Sequence, residues 1–207
     1  MALRSLTTLA GYGEYRFTEK RSEFIGYASP IADEREALDF IARIKAENPD
    51  ARHNVSAYVC GSVMHSSDDG EPQGTGGAPV LDVIRKNGVD NAVVVVTRYF
   101  GGILLGAGGL VRAYSHAAAG AVENAGIATY DKFIECCFSC GYGDYERLLY
   151  ETGKFCTIAG DTDFGADVTV RFAVLHSDAE ALFAKIREMT GGKVTVSVTG
   201  DRFDATR

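Results

Sequence analysis

One short stretch constrains the fold more than any other: the run Asn-Ala-Val-Val-Val-Val-Thr at residues 91–97. Its apolar residues follow one another, without the alternation of polar and apolar residues that marks a strand with one solvent-exposed face. Most of them are β-branched valines. Such a run is typical of a strand that is covered on both faces. We therefore expect this strand in the middle of a sheet, with other elements packed on either side.

The sequence around this strand indicates the elements that could cover it. Residues 12–31 alternate loosely around a Lys-Arg-Ser turn, as in a hairpin of two strands. From Asp33 the apolar period becomes helical, and Asn48-Pro49 ends that run. A strand at 55–63 and a short helix at 79–86 follow. A second long helix is predicted at 110–124, with one face of small residues: Ala113, Ala117, Gly120 and Ala121.

After residue 130 the pattern starts again. Strand and helix signals follow in the order β-α-β-β-α-β, at residues 132–140, 144–151, 154–161, 167–175, 179–189 and 193–199. That order is the split-βαβ, ferredoxin-like arrangement. We therefore predict an α+β protein of two domains, residues 1–130 and 131–207, with no long flexible linker between them.

The charge balance limits what the protein can bind. The formal net charge is −7 at pH 7, whereas domains that coat nucleic acid by bulk electrostatics carry a strongly basic face. Any nucleic-acid contact is therefore expected to be local, and DNA is not an expected partner. The chain has no apolar run long enough to cross a bilayer, and its five cysteines do not follow a disulfide framework. We expect a cytoplasmic protein without a membrane partner.

The predicted central strand runs into a glycine-rich loop that then opens a helix. Arg98 ends the strand, and glycines stand at 101, 102, 106, 108 and 109, before the helix predicted from Leu110. Free N–H groups and the positive end of the dipole at a helix start attract anions. Arg98 and Arg112 could close around a phosphate or sulfate, with His116 one turn beyond Arg112. The alternative is that the glycines only allow positive φ and close packing.

An acidic turn precedes the helix predicted at 79–86. Asp68, Asp69 and Glu71 could coordinate a hard cation with help from His65 or His53. The alternatives are a solvated turn and a surface that contacts another protein, and we favour these because the spacing of an EF-hand loop is absent. We expect no metal and no cofactor.

The sequence indicates neither a zinc site nor a catalytic set. Cys137 and Cys140 stand two residues apart, but a structural zinc usually takes two such pairs. The clustered cysteines are therefore predicted to be packed small apolar residues. Ser115-His116 lacks the flanking glycines of a nucleophile elbow. We expect no catalytic residues.

Several short motifs follow one another in a specific order. They are Ala51-Arg-His-Asn54 with Ala57-Tyr58, Asp68-Asp-Gly-Glu-Pro72 with Gly74-Thr75, Arg98-Tyr-Phe-Gly-Gly102, and Leu105-Gly106 with Gly108-Gly-Leu-Val-Arg112. In this order and spacing they resemble the signature of the IMPACT/YigZ family, in its bacterial two-domain form.

The resemblance implies both a fold and a function. It implies an N-terminal α+β domain related to domain IV of elongation factor G, and a C-terminal domain like that factor's ferredoxin-like modules. It also implies a role near the ribosome, because eukaryotic relatives restrain an initiation-factor kinase by competing for its ribosome-bound activator. We therefore expect a non-catalytic regulatory protein associated with translation, which binds a ribosome-associated protein or RNA.

Two other functions remain open on the sequence. One is an enzyme that acts on a phosphorylated small molecule or nucleotide at the same glycine-rich loop, and the other is a purely structural partner domain. In each binding hypothesis the candidate contact residues are the same. They are His53, Asp68, Asp69, Glu71, Gly74, Thr75, Arg98, Tyr99, Phe100, Gly101, Gly102, Gly106, Gly108, Gly109, Arg112 and His116.

Overall fold

The computed structural model of the protein describes residues 5–206. Their internal contacts divide them into two compact units, Leu6–Thr129 and a second unit formed mainly by residues 130–206. Both units combine helices with antiparallel strands, so the protein is a two-domain α+β protein.

The first unit is built around one five-stranded sheet with the strand order β2-β3-β6-β4-β5. Its pairs are antiparallel. The elements of this unit are β1 (Leu6–Leu9), β2 (Gly13–Glu19), β3 (Ser22–Pro30), α1 (Glu34–Glu47), β4 (His53–Cys60), β5 (Val63–Ser67), α2 (Gly77–Lys86), β6 (Ala92–Tyr99) and α3 (Ala107–Ala125).

The valine-rich strand β6 is the central strand, as its sequence predicts. Val94 and Val96 face a core that includes residues of α2 and α3, while Val93 and Val95 face a second core with α1. All four valines have no exposed surface. Helices cover both faces of the sheet at β6, and this explains why its sequence is apolar throughout.

The small face of α3 lets this helix lie close to the sheet. A Cβ atom added to Gly26 would lie 2.3 Å from the carbonyl oxygen of Ala117, and one added to Gly13 would lie 2.2 Å from that of Ala121. Any side chain at these two sheet positions would therefore clash with the backbone of the helix. The predicted packing of Ala113, Ala117, Gly120 and Ala121 is confirmed by their burial.

Several boundaries differ from the sequence prediction. The helix α3 begins at Ala107 rather than Leu110, because the packing of its later turns on the sheet outweighs the low helix propensity of Gly108 and Gly109. Strand β5 was not predicted, since four of its five residues are exposed and no apolar alternation marks it. Strand β1 is short and was also missed.

The second unit has the element order β-α-β-β-α-β that the sequence predicts. Its elements are β7 (Ile127–Cys140), α4 (Tyr142–Thr152), β8 (Thr157–Phe164), β9 (Val168–Leu175), α5 (Ala179–Met189) and β10 (Ser197–Thr206). The strands lie in the order β10-β7-β9-β8. Strand β10 begins later than the predicted 193–199, because residues 193–196 form an irregular segment that places Val194 in the core.

The core of the second unit contains two of the clustered cysteines. Cys136 and Cys140 are buried with Phe138, and all three side chains belong to one apolar cluster. These cysteines therefore act as small packed residues, as predicted. No helix within the described residues is long and apolar enough to span a bilayer.

Candidate functional site

The glycine-rich loop leads from β6 to the start of α3. Gly106 caps the helix with a φ of 72°, which favours glycine. The Leu110 N–H donates to the Gly106 carbonyl at 3.0 Å. The amides without an intrahelical acceptor are therefore those of Ala107, Gly108 and Gly109, the first three residues of the helix. In the part of the chain that the structure describes, no side chain caps this end of α3.

A cavity of about 270 Å³ lies beside this helix start. We call it the α3 pocket. Strand β2 and its turn form one side, and the loop and α3 form the other. Its lining residues are Phe17, Glu19, Lys20, Leu105, Gly109, Arg112, Ala113 and His116.

Two cations of the α3 pocket have no acidic partner among residues 5–206. Lys20 and Arg112 are both exposed, and neither has a carboxylate oxygen within 4.0 Å. The Arg112 guanidinium extends over the first turn of α3, since a Cβ on Gly108 would lie 3.8 Å from Arg112 Nη1. Glu19 is the acidic residue of the lining. Two cations against one carboxylate give the lining of the pocket a net positive charge.

Contacts with two aromatic residues hold His116 in the wall of the pocket. Its Nε2 lies 3.2 Å from the Tyr15 hydroxyl. Its ring meets Phe17 edge-on, with centroids 4.7 Å apart. Phe17 in turn stacks on the buried Phe24 at 5.4 Å. These contacts fix the orientation of the imidazole, and its Nε2 already has the Tyr15 hydroxyl as a hydrogen-bond partner.

Arg98 lies in the protein interior and forms an ion pair there. Its Nη1 donates to Glu71 Oε1 at 2.5 Å, and the Tyr114 hydroxyl donates to the same oxygen at 2.8 Å. The Arg98 and Glu71 side chains are only 6% and 4% exposed. Burial raises the pKa of Tyr114, and the nearby Glu71 carboxylate raises it further. We call Glu71, Arg98 and Tyr114 the buried cluster.

Two aromatic rings pack against the Arg98 guanidinium. Its carbon lies 5.5 Å from the ring centre of Phe24 and 5.4 Å from that of Phe100. Arg98 Nε is buried and has no hydrogen-bond partner among the described residues. In this structure Arg98 contacts the protein rather than solvent, so of the two arginines in the anion hypothesis only Arg112 reaches the pocket.

Asp68 caps the start of α2. Its carboxylate accepts from the backbone N–H groups of Gly74, Gly76 and Gly77 at 2.8, 2.9 and 2.8 Å. Burial alone would raise the pKa of Asp68, but these donors outweigh it and hold the pKa below its ordinary value. Gly74 and Thr75 stabilise the same turn, since the Thr75 hydroxyl donates to the Pro72 carbonyl at 2.6 Å.

Asp69 binds a different set of groups. Its carboxylate accepts from the Asn54 N–H at 2.6 Å and pairs with Lys45 at 2.7 Å. Burial acts to raise the pKa of Asp69, yet Lys45 and the Asn54 amide lower it overall. His53 Nδ1 lies 2.8 Å from the Asp69 carbonyl, and its Nε2 is 3.9 Å from Glu71. Within residues 5–206 no three His, Cys, Asp or Glu side chains gather as a metal site would require.

The first part of the glycine-rich loop rests on the β2–β3 turn. The Gly101 N–H donates to Ser22 Oγ at 3.2 Å, and a Cβ on Gly101 would lie 2.0 Å from the Arg21 backbone. Gly102 has a φ of 84°. Tyr99 points to the opposite face of the sheet, where its hydroxyl donates to Asn48 at 2.8 Å. Phe100 remains 39% exposed.

The structure therefore separates the candidate residues into two groups. Gly109, Arg112 and His116 line the α3 pocket, with Gly106 and Gly108 at the helix start beside it. The remaining candidates lie elsewhere: in the buried cluster, in the acidic turn before α2, in the first part of the glycine-rich loop, or, for Tyr99, on the opposite face of the sheet. Sequence reasoning missed the pocket residues Phe17, Glu19, Lys20, Leu105 and Ala113. The predicted hairpin turn was the one signal that could have drawn attention to Lys20.

Comparison with known proteins identifies two families along the chain. Residues 20–122 match the Impact N-terminal domain, and residues 138–193 match the Domain of unknown function (DUF1949). The chain is 34% identical to IMPACT family member YvyE of Bacillus subtilis (strain 168), over 92% of this chain and 89% of that protein. It is 33% identical to IMPACT family member YigZ of Escherichia coli (strain K12), over 84% and 88%.

A solved structure agrees over nearly the whole chain. The crystal structure of a hypothetical protein superposes with a TM-score of 0.61 and 30% sequence identity, covering 95% of this chain and 98% of that one. The sequence relatives and this structure thus span both units. The chain belongs to the IMPACT family.

Proposed function

We propose that this protein is a non-catalytic regulator associated with translation, and that it binds RNA through the α3 pocket. The observation that carries the proposal is the position of Lys20 and Arg112, two exposed cations without an acidic partner among the described residues. They flank a helix start whose first three amides have no hydrogen-bond acceptor among the described residues. This combination suits a phosphate of the RNA backbone.

The overall charge is consistent with a local contact. A net charge of −7 does not attract nucleic acid over the whole surface. Binding would therefore depend on a few residues, and its salt dependence would be modest. Two phosphate contacts on a single strand correspond to a slope of about −1.4 in a plot of log affinity against log salt.

In this proposal Arg98 supports the site and does not touch the ligand. Its ion pair with Glu71 joins β6 to the acidic turn, and Tyr114 joins the same carboxylate to α3. Phe24 lies between Arg98 and Phe17, which lines the pocket. The buried cluster would thus hold the pocket walls at a fixed separation.

A second candidate function is contact with a ribosome-associated protein. The loop that leads into α3 exposes apolar side chains, with Leu104 81% exposed and Ile103 40% exposed. Exposed apolar side chains beside polar ones are common at protein interfaces. Protein binding would use the loop tip, whereas RNA binding would use the pocket.

We also propose that each of the two domains is related to a known fold. The strand order β10-β7-β9-β8, with the element order β-α-β-β-α-β, supports a ferredoxin-like second domain. The relation of the first domain to domain IV of elongation factor G rests on the resemblance of its motifs. Both assignments agree with a role close to the translation machinery.

The test is sedimentation of cell extract with the purified protein, followed by direct measurement of RNA affinity. We expect the wild type to sediment with ribosomes and Arg112→Ala to remain in the supernatant. In fluorescence anisotropy with a short RNA, Arg112→Ala and Lys20→Ala should each weaken binding and reduce the salt slope by about 0.7. Arg35→Ala is the matched control, because Arg35 is 88% exposed on α1, across the sheet from α3.

Two other results would favour a different function, and a third would contradict the proposed role of the pocket. Loss of sedimentation in Leu104→Ala but not in Arg112→Ala would favour the protein partner. Turnover of nucleotides or phosphorylated metabolites by the wild type would favour an enzyme. Equal sedimentation and equal RNA affinity of the wild type, Arg112→Ala and Arg35→Ala would contradict the proposed role of the pocket.

A further inference from the structure

We propose that the α3 pocket receives one unpaired nucleobase, so that the protein selects single-stranded over double-stranded RNA. This inference rests on the proposed function, because it names the form of RNA that the same site takes. Arg112 and Lys20 would hold the phosphate next to the base, and the base itself would enter the cavity.

The pocket has an apolar side as well as a cationic one. Leu105, Phe17 and Ala113 supply carbon surface, and Leu105 and Phe17 are both partly exposed. The Leu105 side chain packs over Gly109, where an added Cβ would lie 3.0 Å from Leu105 Cβ. A phosphate alone gains nothing from carbon surface. A ligand with a flat apolar ring next to a phosphate matches both sides, and a nucleotide is such a ligand.

The size of the cavity limits how much of the ligand can enter. Its volume of about 270 Å³ lies just below the range of roughly 300–1,000 Å³ that clefts for drug-sized ligands occupy. It therefore suits one ring system of a longer polymer, with the rest of the chain outside. His116 and Glu19 also line the cavity and offer polar atoms to the edge of a base.

Base pairing would prevent a base from entering the α3 pocket. In a double helix the bases are stacked and paired, so their faces cannot reach a pocket in a protein surface without being extruded. A single strand presents its bases freely, and contacts between bases and side chains are then largely independent of sequence. The site would therefore distinguish strand state more strongly than base identity.

The experiment compares two neighbouring leucines of the loop. Leu105 lines the pocket, whereas Leu104 is 81% exposed and does not line it. We expect Leu105→Ala to weaken the binding of a single-stranded oligoribonucleotide about fivefold or more, because the base loses apolar surface on which it packs. Leu104→Ala should stay within about twofold of the wild type, and both variants should bind an RNA duplex as the wild type does.

A competition assay separates the base from the phosphate. Adenosine monophosphate should displace the single-stranded probe at a lower concentration than inorganic phosphate, and Leu105→Ala should remove that difference. Urea denaturation of both leucine variants checks that each is folded.

The outcomes distinguish this inference from the proposed function. Equal wild-type affinity for single and double strands, with Arg112→Ala weakening both and Leu105→Ala neither, would overturn the base pocket and leave the phosphate site intact. Absence of any RNA binding by the wild type would overturn both.

Discussion

The guanidinium of Arg98 lies 2.5 Å from the carboxylate of Glu71, and both side chains are almost wholly buried. Arg98 ends the central strand β6, and Glu71 lies in the turn that precedes α2. Tyr114 adds a third link, from α3 to the same carboxylate oxygen. One buried carboxylate thus connects three parts of the first unit. Phe24, which packs on Arg98, also stacks on Phe17 in the wall of the α3 pocket.

Removing Arg98 should destabilise the protein strongly. Arg98→Ala leaves the Glu71 carboxylate buried without its cation, and the expected loss is about 3–5 kcal/mol in the free energy of unfolding. Urea denaturation followed by circular dichroism measures it. The double variant Arg98→Met with Glu71→Leu should lose less than Arg98→Ala alone, because no buried charge remains.

The control for this prediction is an exposed ion pair. Arg35 and Asp39 lie 3.9 Å apart on α1, at 88% and 75% exposure, and Arg35→Ala should change stability by less than about 0.5 kcal/mol. A loss of similar size in Arg35→Ala and Arg98→Ala would contradict a specific contribution from the buried pair.

The Asp68 cap should make stability depend on acid pH. Hydrogen bonds from three backbone N–H groups hold the folded pKa of Asp68 below its ordinary value of 3.8. A lowered folded pKa stabilises the protein above the ordinary pKa, and this contribution disappears as the pH falls through the folded pKa. Asp68→Asn, which does not titrate, should therefore differ from the wild type most at neutral pH and least in strong acid.

The size of this effect follows from helix capping. Loss of a capping side chain typically costs about 0.5–2 kcal/mol, so Asp68→Ala should show a loss in that range at neutral pH. Asp82→Asn is the matched control, since Asp82 is 56% exposed on α2 and contacts Arg85 at 3.8 Å. Urea unfolding at several pH values gives both differences, and parallel curves for the wild type and Asp68→Asn would contradict the cap.

The central strand shows how far the sequence could predict the fold. The valine run indicated a strand covered on both faces, and the structure gives β6 the middle place in the sheet. The capping residue Asp33 marked the start of α1, and its side chain accepts from the Glu36 N–H at 2.9 Å. Such local signals are enough to predict an element when its conformation and burial are determined by its own sequence.

The candidate site could be predicted only in part, because it depends on residues that are far apart in the chain. Arg98 and Arg112 look alike in the sequence, yet one is buried against Glu71 and the other is exposed. Burial of a charge depends on which partner the fold supplies. Lys20 reaches the pocket through a hairpin turn, with a φ of 46°, and no local pattern connects that turn with α3.

The cysteines should differ sharply in reactivity. Burial raises the pKa of Cys136 to about 11, and burial also raises the pKa of Cys140. Cys156 is exposed. Because the thiolate is the reactive form, Ellman's reagent at mildly alkaline pH should modify Cys156 fastest. Cys156→Ser should abolish the fast phase and Cys136→Ser should leave it, whereas a fast phase that survives Cys156→Ser would contradict the burial pattern.

Gly101 should couple the stability of the loop to RNA binding. A Cβ at this position would lie 2.0 Å from the backbone of Arg21, so Gly101→Ala must push the β2–β3 turn away and move Lys20 with it. Overpacking of this kind typically costs about 1–3 kcal/mol, and the RNA affinity should fall as Lys20 leaves the pocket. Gly11→Ala is the control, because nothing lies within 4 Å of the added Cβ. If Gly101→Ala lost stability in urea but bound RNA as tightly as Gly11→Ala does, the position of the turn would not control the site.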